Sequence, residues 1–164
     1  MDKLVIELLN LLREILAGQQ RLVSLALMRR EAMRSYDMER LNSAAMQEQI
    51  ELQRLAKLEL ARKDLVGRFK QLLGRNFEPT VSEIAKRTGE PSRTQLLALA
   101  GQIKEAAEQV SRNTRINAAI SEGVIKGLAK VLKIVTGLAQ HAGLYMRNGR
   151  KAALHGIHLL EVTG

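Results

Sequence analysis

From Leu96 onward, one row of positions runs through the sequence in alternating steps of three and four without a slip. It reads Leu96, Leu99, Ile103, Ala106, Val110, Asn113, Asn117, Ile120, Val124, Gly127, Val131, Ile134 and Leu138. That is the coiled-coil period, and it puts the whole row on one face of a single helix. Pro91-Ser92 suits the opening of that helix, because proline fits a first helical turn and serine can cap one. From Pro91 to Leu138 the helix spans about 70 Å at 1.5 Å per residue. Alone it cannot bury its own apolar face, so the row requires other long helices in the same fold.

The upstream half supplies them. Asp2 can cap a first helix to about Ser35, with Leu4, Leu8, Leu11, Ile15, Leu22, Leu25, Ala32 and Tyr36 on one stripe that Gly18 and Arg29 interrupt. Asp37 offers either a new cap or a shift of seam within one longer helix. A second helix follows to Leu73, with Leu41, Ala45, Leu52, Leu55, Leu58, Leu65, Phe69 and Leu72 inward, and Gly74 stops it. In the connector 75–91, Thr80-Val-Ser-Glu83 has the form of a capping box and predicts a short helix ending near Thr88-Gly89. The expected fold is all-α: an elongated antiparallel helical hairpin or coiled-coil bundle of about three long helices with a short connector helix. The last helix lies against the second, and the first is either a third partner or leaves an open groove. Glycines at 143, 149, 156 and 164 punctuate a weakly periodic end, so the chain divides into a bundle at 1–142 and a flexible tail at 143–164.

Composition agrees with helix-on-helix packing: 46% of residues are hydrophobic but only 2% aromatic, and there are two prolines. The lack of cysteine excludes disulfides, thiolate metal sites and thiol nucleophiles. No apolar run approaches the roughly 20 residues of a membrane span, and Asp2 and Glu7 stand where a signal peptide would be apolar. We therefore expect a cytoplasmic protein without membrane insertion. The net charge of +9 raises nucleic acid as a partner. The excess is spread, however: +3 over residues 1–79, +4 over 80–142 and +2 over 143–164.

Catalysis finds little support, and the chain reads as a binding protein with no cofactor, not an enzyme. His155 and His158 have a chelating spacing with only Glu161 near them, so no metal site is expected. Residues 81–95 contain an Ala85-x-x-x-Gly89 step like that of a DNA-reading helix-turn-helix. Glu90 and Gln95, though, stand where that motif wants apolar residues, and a connector is the plainer reading. Asn113 and Asn117 on the seam either fix register in a buried coiled coil or hydrogen-bond a partner's backbone. Tyr145, one of four aromatics, has the character of a docking anchor.

Three stretches resemble the FlgN family, the cytoplasmic chaperones of bacterial flagellar type III export. They are Glu31-Ala32-Met33 with Asp37-Met-Glu-Arg-Leu41, then Leu55-x-x-Leu58-Glu59-x-x-Arg62, then Asn117-x-x-Ile120 with Tyr145 and Gly149 in a short tail. Met146 departs from the family's frequent glycine after the tail tyrosine, and the basic balance is atypical. The resemblance implies a chaperone that binds a helical terminal segment of the hook-associated proteins of the hook–filament junction. It would hold them unassembled and deliver them to the export gate. On that reading Leu99, Ile103, Val110, Asn117, Ile120, Val124 and Val131 form the client surface, and Tyr145 docks on the gate. A basic nucleic-acid-binding or regulatory protein using residues 81–95 is the alternative. A purely structural coiled coil, forming homo-oligomers, is the third.

Overall fold

The structure, a computed structural model, describes residues 1–74 and 80–142, with side chains described as far as Thr136. Among the described residues there are four helices and no strand: α1 (Asp2–Arg34), α2 (Met38–Leu73), α3 (Val81–Lys86) and α4 (Ser92–Ala142). The expected all-α bundle with a short connector helix is what the chain forms. By its internal contacts it falls into two units, Met1–Ser121 and the part from Glu122 onward, so the division comes inside α4.

The helix boundaries follow local chemistry. α1 ends with Tyr36 in the left-handed region (φ 53°) and the Asp37 N–H donating to Ala32 C=O at 3.0 Å, a Schellman-type stop. Asp37 then caps α2 by accepting from the Arg40 N–H at 2.9 Å, which settles the sequence's two options in favour of a break. Tyr36 is correspondingly 74% exposed and does not continue the inward row. Gly74 ends α2 at φ 99°, a conformation that favours glycine. Thr80 caps α3 by accepting from the Glu83 N–H at 3.2 Å.

Within the first unit the direction of each helix can be read from the cross-helix bonds. Glu7 pairs with Arg68, Glu14 with Arg54, Arg21 with Glu51 and Arg29 with Glu48, so α1 and α2 run antiparallel. Arg13 bonds Gln95, the Ala26 carbonyl bonds Asn117, and Met33 bonds Ser121, so α4 runs parallel to α1 and antiparallel to α2. The six-residue α3 makes the return between α2 and α4, with Ile84 and Ala85 buried beneath Val5, Leu8, Leu65, Phe69 and Leu96.

The first helix is not an optional third partner. It is the centre of the unit: α1 buries residues from Val5 to Met33 on both its α2 and α4 sides, whereas α2 buries only Ala44, Glu51, Leu65 and Phe69. Gly18 makes this possible rather than interrupting the stripe. A Cβ there would lie 2.7 Å from Leu55 Cδ2 and 2.8 Å from Glu51 Oε1, so its absence lets α2 approach. The middle of α2 is also rotated from the expected register. Leu52 is 51% exposed and Ala45 is exposed, as is Leu72 at the C-terminal end of α2 at 55%, while Glu48 and Glu51 turn inward. Their guanidinium partners on α1 are what make carboxylates tolerable there.

Candidate protein-binding surface

The α4 row changes character along its length. Leu96, Leu99 and Ala106 are buried, and Ile103 packs against the core cluster. Val110 and Ile120 are half-buried. Asn113 and Asn117 form a polar junction with α1. The Arg30 guanidinium donates to Asn113 Oδ1 at 2.6 Å and Asn117 Oδ1 at 3.2 Å, while Asn117 Nδ2 donates to the Ala26 carbonyl at 2.8 Å. With Asn117 only 4% exposed, its polar atoms are satisfied inside the unit. Both asparagines thus spend side-chain hydrogen bonds within the fold, on Arg30 and on the Ala26 carbonyl. Arg30, their cationic partner, carries no mark in the sequence beyond following Arg29, where the apolar stripe of α1 lapses.

From Glu122 to Thr136 the picture reverses. Val124 is half-buried and every other described side chain is exposed, including Ile125, Leu128, Val131, Leu132, Ile134 and Val135 at 55% or more. On a helix, Val124, Leu128, Val131 and Val135 share one face with Ile125 and Leu132 beside them, while Lys126, Lys130 and Lys133 lie towards the opposite side. Lys126 pairs with Glu122 at 2.6 Å along that polar side. Singly scattered apolar residues on a surface are ordinary, but six large ones in about three turns are not. Such a face matches the helix-in-groove mode of recognition, in which an amphipathic helix covers apolar side chains spaced by three and four.

Of the residues singled out from sequence, then, Leu99, Ile103 and Asn117 lie within the packed unit, Val110 and Ile120 lie at its edge, and Val124 and Val131 belong to the uncovered stretch. Tyr145 and the His155, His158 and Glu161 group lie outside the described residues. Ile84 and Ala85, from the segment that resembles a helix-turn-helix, face the core. The Leu55–Arg62 motif has an electrostatic role. Arg62 makes two bonds to Glu59, at 2.8 and 2.7 Å, and these hold the Glu59 carboxyl below its ordinary range and raise the guanidinium.

The fold is that of an all-α protein, with a polar seam between α1 and α4 and then a helical stretch whose apolar face is exposed among the described residues. The family model described as FlgN protein matches residues 1–153, and the chain belongs to the FlgN family, the family of flagellar export chaperones. No curated protein and no solved structure matches it.

Proposed function

We propose that this chain is a cytoplasmic chaperone that binds the helical terminal segment of hook-associated proteins, keeps them from assembling early and delivers them to the flagellar export gate. The observation that carries the reading is the uncovered face of Val124, Leu128, Val131 and Val135. Covering a large aliphatic side chain is worth about 1.5–3 kcal/mol, so a client helix laid on this face gains what the free chaperone forgoes. The packed members of the row, Leu99, Ile103, Val110, Asn117 and Ile120, hold α4 on α1 within the first unit. Tyr145 would anchor the chaperone on the gate, separately from the client. The activity is binding, not catalysis.

Titration of the full chain with a hook-associated protein of the same bacterium tests this reading. Because the contacts are apolar, the affinity should change by less than roughly tenfold between about 50 and 200 mM salt. A phosphate-binding protein with six to ten contacts would lose about 10³–10⁵ over that range. Absence of a complex, or a steep salt dependence with nucleic acid as the better ligand, would overturn it.

A further inference from the structure

Of the net charge of +9, +6 lies in the 38 residues between Glu122 and Glu161, which hold six basic side chains and no carboxylate. Cutting the chain at residues 79 and 142 hides this concentration. In the first unit acids and bases are interspersed and pair across the helices, as Arg21 does with Glu51 and Arg68 with Glu7. Beyond Ser121, Glu122 pairs with Lys126, and Lys130 and Lys133 are exposed with no acidic partner among the described residues.

The apolar side of the same stretch is wider than one row. Ile125 and Ile134, 66% and 61% exposed, are nine positions apart and so stand on opposite sides of the helix. Between them, on about half of the circumference, lie Val124, Leu128, Val131, Leu132 and Val135, while Lys126, Lys130 and Lys133 occupy the other half. A helix packed on another usually meets a stripe of roughly 100°. A partner helix on the Val124–Val135 row would therefore leave Ile125 and Ile134 in water. A bilayer surface covers one whole side of a helix lying in its plane, and a lysine-rich polar side opposite a broad aliphatic one suits such a helix. No helix among the described residues is long and apolar enough to cross a membrane, so the orientation is in the plane and not through it.

We propose that the Glu122–Thr136 stretch binds the surface of a bilayer containing anionic lipid, with its aliphatic half among the upper acyl chains and its unpaired lysines attracted by the headgroup charge. Negative headgroups are the complement of a stretch that carries cations and no carboxylate beyond Glu122. This goes beyond the chaperone reading and does not depend on it. Client and bilayer use the same side chains, so the lipid-bound form is the client-free one.

The test is flotation of the full chain with vesicles of equal parts phosphatidylglycerol and phosphatidylcholine, and with vesicles of phosphatidylcholine alone, with helicity checked for each variant. The chain should float with the anionic vesicles and bind the neutral ones at least roughly tenfold more weakly. Replacing Lys126, Lys130 and Lys133 together by glutamine should lower the affinity on the order of a hundredfold, at about fivefold per lysine. Ile125→Ser combined with Ile134→Ser should lower it at least roughly tenfold, because both side chains leave the acyl region. Lys104→Gln, at an exposed position of the first unit, should bind as wild type does. No flotation with the anionic vesicles, which would leave the face to a protein partner alone, overturns the proposal. So does equal binding to neutral vesicles, or unchanged affinity in the lysine variant. Unchanged affinity in the isoleucine variant would mean electrostatic adsorption without burial, and overturns it as well. The vesicles hold no client and the client titration holds no lipid, so the two readings fail separately.

Discussion

Gly18 and Gly101 are both glycines inside long helices, and the fold uses them in opposite ways. At Gly18 a new methyl would meet Leu55 and Glu51, and Glu51 cannot swing aside freely because both its oxygens are bonded by Arg21 at 2.9 Å. Overpacking costs about 1–3 kcal/mol, against a helix-propensity gain of up to about 1 kcal/mol on replacing glycine by alanine. Gly18→Ala should therefore lower the midpoint of urea unfolding. Gly101, with nothing within 4 Å of its would-be Cβ, should give a higher midpoint on the same change. At Asn117, replacement by alanine removes the bond to the Ala26 carbonyl and one acceptor of Arg30, and should cost about 1–3 kcal/mol by the same measurement. A cost near zero would mean that the asparagine–arginine junction is not holding α4 on α1.

Among the elements, α4 was the most legible in sequence and α1 the least. The unbroken row from Leu96 gave α4 its start, its period and its inward face as far as Val124, because heptad spacing is a local property of one helix. The caps at Asp37 and Thr80 and the stop at Gly74 are local too, and they are where the sequence placed them. The central position of α1 was not legible: its apolar residues cover more than one stripe, but a single stripe interrupted by Gly18 and Arg29 was the simpler pattern. Both supposed interruptions are contacts with α2, one through the missing Cβ and one through the pair with Glu48. For the same reason the inward carboxylates of α2 were invisible, since their register depends on guanidinium groups some 19 to 30 residues away. Nor could the row itself show that its seam is covered before Val124 and open after it, because the period does not change there. That boundary makes a prediction at the scale of the helix. Amide hydrogen exchange should be slow from Leu96 to Asn117, where the inward row of α4 is packed in the first unit or bonded to α1, and markedly faster from Ile125 to Val135. Uniform protection along α4 would mean that the second stretch is covered in solution.

Along the chain, a first unit built on its own core and polar seam is followed by a helical stretch whose apolar face has no cover among the described residues. Membership of the FlgN family gives that arrangement a purpose in flagellar export, and the uncovered face gives the proposed client a place to bind. The central claim is that this face, and not the packed part of α4, is where the client is held. It is tested most directly by titrating one hook-associated protein into wild type, Val131→Asp and Lys133→Glu, with helicity checked for each. Val131 is 56% exposed in the free protein, so aspartate there leaves the fold intact, but in a complex it buries an unpaired charge at a cost of several kcal/mol. The account predicts a loss of at least roughly a hundredfold in client affinity for Val131→Asp, unchanged helicity, and near wild-type binding for Lys133→Glu on the polar side. Wild-type affinity in a folded Val131→Asp protein would contradict it.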